Sequence, residues 1–144
     1  MFSKACEYGL RAMLSIAVKS SQGLRTNLKE IAEDIESPEA FTAKILQQLS
    51  RNQLINSVKG PHGGFEIAKK DLQKIRLIDI VRTIDGDKVF TGCGLGLKEC
   101  NAAKPCPLHH KFVEIRGNLK TLLQNTTLNE LSKDINNGLS FLHR

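Results

Sequence analysis

Tryptophan is absent, tyrosine occurs once, and aromatic side chains make up only 5% of the 144 residues. A core must therefore rest on Leu, Ile, Val and Ala rather than on large rings. Long apolar runs are missing as well. No window reaches the roughly 18 apolar residues of a membrane span, and no signal-peptide pattern opens the chain. A cytoplasmic protein with no membrane partner is the expectation. Cysteine is scarce, with four residues in all, which argues against the disulfide framework of a small secreted domain. Internal repeats and low-complexity tracts are lacking, so neither a solenoid nor a compositionally biased linker is indicated.

What remains is an ordinary globular balance, 40% hydrophobic and 25% charged, in a length that suits one domain with or without a helical extension. The net charge of +6 and pI near 9.3 favour a polyanionic partner. The excess is unevenly placed. Residues 1–50 carry as many acidic as basic side chains, whereas 51–76 holds Arg51, Lys59, Lys69, Lys70, Lys74 and Arg76 against Glu66 and Asp71.

Periodicity predicts a helix from about Ser3 to Val18, with Cys6, Leu10, Met13, Leu14 and Ala17 on one stripe. Asn27 with Glu30 reads as a capping box opening a short helix of Leu28, Ile31, Ala32 and Ile35. Ser37 is expected to cap a third helix with Pro38 in its first position, and Phe41, Ile45, Leu46 and Leu49 form its inner face to about Asn52. Two short helices joined by a tight turn form a helix-turn-helix. A hairpin follows, Ile55–Lys59 and Phe65–Ala68 around Gly60-Pro61-His62-Gly63-Gly64, and makes the motif winged. Beyond it, Leu77, Ile80, Val81 and Ile84 mark a helix ending at Gly86. Residues 89–107 read as loop. Phe112, Ile115, Leu119, Leu122 and Leu123 stripe a long helix to about Asn125, and Leu128, Leu131 and Ile135 a last short one. The expected fold is mainly α with a small β-hairpin wing, a winged helix-turn-helix plus a long C-terminal dimerisation helix. Its divisions are a DNA-binding domain at 1–88, a cysteine loop at 89–107 and a helical dimerisation region at 108–144.

If the third helix enters a major groove, the side chains opposite its buried stripe face the bases, and these are read as Ser37, Glu39, Thr42, Lys44, Gln47 and Gln48. The wing offers Lys59 and His62, with the backbone N–H groups of Gly63 and Gly64, to phosphate or the minor groove of double-stranded DNA.

Cys93, Cys100, Cys106 and His109 form the pattern C-x6-C-x5-C-x2-H on a Gly- and Pro-rich stretch. Soft thiolates on one short loop suit an iron–sulfur cluster. Zinc is the rival, although the usual C-x2-4-C knuckle is missing. Cys6, on an apolar helix face, reads as core. An enzyme using one of the loop cysteines as nucleophile lacks a recognisable supporting relay.

Taken together, these segments resemble the Rrf-type family of bacterial winged-helix regulators over essentially the whole length. The resemblance rests on Tyr8-Gly9-Leu10-Arg11-Ala12, Leu49-Ser50-Arg51, Val58-Lys59-Gly60-Pro61-His62-Gly63-Gly64-Phe65, the cysteine loop, and Thr127-Leu128-Asn129-Glu130-Leu131. It implies a homodimer with crossed C-terminal helices, one iron–sulfur cluster per subunit, and transcriptional control switched by iron–sulfur, redox or nitric-oxide status. Two versions of the fourth ligand are implied. The iron–sulfur-regulator type matches His109 and suggests a 2Fe–2S cluster. The nitric-oxide-sensor type uses a partner-subunit carboxylate, at the position of Glu7 here, and holds 4Fe–4S. His109 is favoured because it lies within the loop. Glu7 could instead pair with Arg11, and the first spacing of six residues, where five is common in both types, leaves the cluster type open. A zinc-stabilised or thiol-redox regulator of the same fold is the alternative.

Overall fold

Ser3 is extended, and its hydroxyl accepts the Cys6 N–H at 3.0 Å, which starts α1 (Lys4–Ser21) in the computed structural model, where residues 1–143 are described. This helix is the hub, packing against α2 (Leu28–Asp34), α3 (Glu39–Arg51), α5 (Leu77–Asp85) and α8 (Leu128–Asn136). Asn27 caps α2 by accepting the Glu30 N–H at 2.9 Å, but Glu30 returns only to the Asn27 side-chain amide, so the box is half built. Ser37 does not cap α3. Pro38 occupies the cap position and supplies no side-chain bond.

The wing is shorter than expected, with β1 (Asn56–Val58) antiparallel to β2 (Gly64–Glu66) and Ser57 opposite Phe65. A third segment braces it. Thr26 exchanges both backbone hydrogen bonds with Phe65, at 3.2 and 2.8 Å. Gly64 has φ +138, and a Cβ there would fall 2.8 Å from the Thr26 carbonyl oxygen, so this close approach requires glycine. Two single-turn helices were not anticipated, α4 (Lys69–Leu72) and α6 (Lys88–Thr91), because four residues are too few to show a period. α5 ends at Gly86, φ +70, as expected.

The main core holds Met13, Ile16, Ile31, Ile35, Leu46, Leu49, Ile80 and Leu128, and a smaller one joins Cys6, Ile78, Val81 and Leu123. α5 borders both. Gly9 lets it come close to α1, since a Cβ would lie 2.1 Å from Ile84 Cδ1.

The two helices within 108–144 pack on different partners. α7 (His109–Asn125) packs on α5 and α6, whereas α8 packs on α1 and places Leu128 in the main core. The Leu128 N–H donates to the Ile75 carbonyl at 3.1 Å, and Leu77 N–H to Thr126 at 3.0 Å. The predicted stripe of α7 divides as well: Leu123 is buried, Phe112 and Leu119 are half-buried, and Ile115 and Leu122 are exposed. Among the described residues, no helix is long and apolar enough to cross a membrane.

Candidate metal centre and nucleic-acid interface

One face of α7 organises the cysteine loop. His109, Phe112 and Arg116 stand at i, i+3 and i+7, so they stack along a single stripe. His109 is only 8% exposed, its N–H donates to the Cys106 carbonyl at 3.0 Å, and its Nδ1 lies 3.3 Å from Cys100 Sγ. The Phe112 ring supports the loop where Gly94 crosses it, and a Cβ on Gly94 would lie 2.5 Å from that ring. Arg116 donates to the Gly92 carbonyl and, at 3.3 Å, to Cys100 Sγ.

The four loop donors fall into two pairs, Cys93 with Cys106 at 3.8 Å between sulfurs and Cys100 with His109 at 3.3 Å. All three loop cysteines are free thiols and half-buried. The amides of Leu95 and Leu97, directed at its sulfur, hold the Cys93 thiol below its ordinary range; partial desolvation opposes them, and Cys106 and Gly96 add to them. Among the described residues no three His, Cys, Asp or Glu side chains converge on a position for a single metal ion.

Cys6 is fully buried between α1 and α5, as expected of a core residue. Burial, and then the neighbouring Asp85 and Glu7 carboxylates, push its thiol up to about 12. Glu7 pairs with Lys4 at 3.5 Å, not with Arg11. Arg11 instead donates to the Ile35 carbonyl at 3.1 Å and lies 4.7 Å from the Tyr8 ring centroid, tying α1 to the end of α2.

On the reading head, Glu39, Lys44 and Gln47 lie exposed along α3, with Ser37 half-buried ahead of it. Two of the expected base readers do not belong to that face. Thr42 is fully buried and its hydroxyl donates to the Pro38 carbonyl at 2.9 Å. The signal was present in the sequence, because 42, 45, 46 and 49 complete an i, i+3, i+4, i+7 inner stripe. Gln48 turns towards α5 and gives its amide to the Thr83 carbonyl at 2.8 Å. Exposed Ala40 and Arg51, neither of them among the expected base readers, share the outer side with Lys44 and Gln47.

Lys59 and His62 are exposed at the wing tip. The Gly63 N–H is committed to the Gly60 carbonyl at 3.0 Å, and a Cβ there would collide with the Val58 carbonyl, so Gly63 and Gly64 are required by the hairpin itself. Arg25 was also missed. Its guanidinium bonds Glu66 at 3.0 Å and the His62 carbonyl at 3.3 Å, fixing the wing against the head. Nothing in the local sequence signalled it, because its partners lie 37 and 41 residues along the chain.

Comparison with known proteins agrees with this architecture. An HTH-type transcriptional regulator of Aquifex aeolicus is 32% identical over 133 residues, covering 91% of this chain and 90% of that protein. The HTH-type transcriptional regulator IscR of Escherichia coli is 29% identical, covering 86% and 75%. The structure of CymR, the global cysteine regulator of Bacillus subtilis, superposes with a TM-score of 0.74 at 25% identity, covering 92% of this chain and 96% of that one. Residues 2–134 match the Rrf2 family, the iron-dependent transcriptional regulators, and the chain therefore belongs to that family of non-enzymatic, DNA-binding regulators of transcription.

Proposed function

We propose that this chain works as a homodimer that binds duplex DNA with an affinity set by an iron–sulfur cluster on Cys93, Cys100, Cys106 and His109. The two donor pairs carry the reading. Two thiolates bound about 2.3 Å from a tetrahedral metal lie about 3.8 Å apart, the separation of Cys93 and Cys106. Two pairs without a three-donor centre suit a two-iron core, each iron taking one pair, better than a single zinc ion. Such a cluster exchanges electrons and reacts with oxidants or nitric oxide. Buried His109 faces Cys100, so it serves as fourth ligand in preference to Glu7, whose carboxylate is paired with Lys4.

The chain's own residues supply the rest. Lys44 and Gln47 read bases from α3 with Ser37 and Glu39 at its start, while Lys59 and His62 meet phosphate or the minor groove. Ile115 and Leu122, seven residues apart on α7, leave an exposed apolar strip. A cavity of about 860 Å³ beside it, lined by Phe2, Ile84, Val89, Leu119 and Cys93, gives the second subunit a seat. Because Cys93 borders that seat, a change in the loop alters how two α3 helices are spaced, and these must sit about one DNA turn, roughly 34 Å, apart.

Anaerobic purification with iron, sulfide and zinc quantified per chain, followed by DNA binding before and after cluster removal, tests the proposal. Equal iron and sulfide with a changed affinity support it; zinc alone refutes it. The Cys93–Cys106 contact also favours a second reading, in which two-electron oxidation joins these thiols as a disulfide. A metal-free chain whose DNA affinity answers to an oxidant would establish that one.

A further inference from the structure

Among the described residues, Arg116 is the one side chain that reaches both ends of the first cysteine segment, through the Gly92 carbonyl before Cys93 and the Cys100 sulfur at its close. Its Nε is buried with no hydrogen-bond partner. The half-buried guanidinium makes two contacts, one to a neutral oxygen and one to a sulfur. That arrangement gains most when the sulfur carries negative charge, because a charge-assisted hydrogen bond is roughly twice as strong as a neutral one. Arg116 is also held in register with the histidine, two turns along the same stripe of α7, so His109 and Arg116 approach Cys100 together.

We propose that Arg116 is a positioning residue that clamps the Gly92–Cys100 segment and, through its charge at the Cys100 sulfur, biases the bound cluster towards its reduced form. The proposal rests on the cluster reading above. Three thiolates and a neutral imidazole around a doubly charged two-iron core leave a net negative centre. One-electron reduction makes that centre more negative, and a guanidinium beside it stabilises the reduced form more than the oxidised one. Hydrogen bonds to sulfur and net local charge are among the factors that set cluster potentials.

The test compares Arg116→Gln, which keeps a donor and loses the charge, with Arg116→Lys, which keeps the charge and loses the fork. Iron and sulfide content is measured first, on the full chain. The midpoint potential of the loaded protein follows, and then amide hydrogen exchange of residues 92–100 in the metal-free chain. We expect Arg116→Gln to lower the reduced-to-oxidised ratio at fixed potential about tenfold, equivalent to about 59 mV for one electron. Arg116→Lys should stay near the wild-type potential. Both variants should exchange faster than wild type over 92–100 and equally over α5. A loaded Arg116→Gln protein with the wild-type potential overturns the electrostatic role, and unchanged exchange overturns the clamp. If Arg116→Gln does not load, loading with a wild-type potential in Arg116→Lys supports the proposal, and failure of both variants to load refutes it. A wild-type chain without equal iron and sulfide removes the cluster reading instead, which the first measurement reports separately.

Discussion

Leu128→Ala separates the two assignments of the last helix. Leu128 is fully buried in the main core, and its N–H bonds the Ile75 carbonyl, so truncation hollows the reading head rather than a dimer surface. Removing a buried leucine to Ala costs about 2–5 kcal/mol, the transfer term plus an unfilled cavity. The site cannot readily collapse, because α1 is held on its other sides by α2, α3 and α5. We therefore expect about 3–4 kcal/mol. With a urea slope of about 2 kcal/mol/M, the midpoint should fall by about 1.5–2 M. Circular dichroism against urea measures it, at one fixed chain concentration because the unfolding of the proposed dimer would depend on concentration. Sedimentation at the same concentration should show an unchanged oligomeric state in the absence of denaturant. A loss under about 1 kcal/mol, or a dimer that dissociates while the head stays folded, would refute the placement of α8 in the head.

Affinity for DNA should fall roughly 10³ to 10⁵-fold between about 50 and 200 mM salt if about six to ten phosphates are contacted, and Lys59→Ala should weaken all sequences alike; fluorescence anisotropy at several salt concentrations checks both. Changing Cys93, Cys100 or Cys106 to Ala should abolish visible absorbance, whereas Cys6→Ala keeps the colour and loses stability; a bleached Glu7→Gln protein beside a coloured His109→Ala protein would transfer the fourth ligand to the partner subunit. Cys6 also predicts a pH effect. Its folded value of about 12 lies above the ordinary 9.0, so the folded state keeps its proton longer, and its contribution to stability is present below about pH 9 and lost as pH rises towards 12. Urea midpoints measured at rising pH, compared between the wild type and Cys6→Ala, isolate that contribution.

Tertiary contacts are divided unevenly over the molecule. The head is stitched together by two adjoining cores and by the Thr26–Phe65 and Arg76–Thr127 bridges. The cysteine loop has few such ties among the described residues: the stripe on α7, local turns, and the thiols themselves. A ligand on those thiols therefore shifts the loop at small cost to the head, since regions of few buried contacts open most easily.

Much of this was legible in the sequence because it depends on local periodicity and chain order. The head helices show their inner faces at 3.6-residue spacing, Gly86 ends α5 by its backbone, and three cysteines stand on one short loop at any tertiary arrangement. Other features depend on partners far away along the chain. Nothing near Thr26 shows that it will pair with Phe65, or near Gly9 that Ile84 will press against it. Leu128 and Leu122 look alike in a stripe, yet one meets α1 and the other faces outward. Gln48 is polar, so composition puts it outside, while the distant Thr83 carbonyl satisfies it inward. The pairing of the thiols is of the same kind. Spacing supplied the donors, but α7 decided which stand together, because a helix fixes His109 and Arg116 on one line against which the loop must fold.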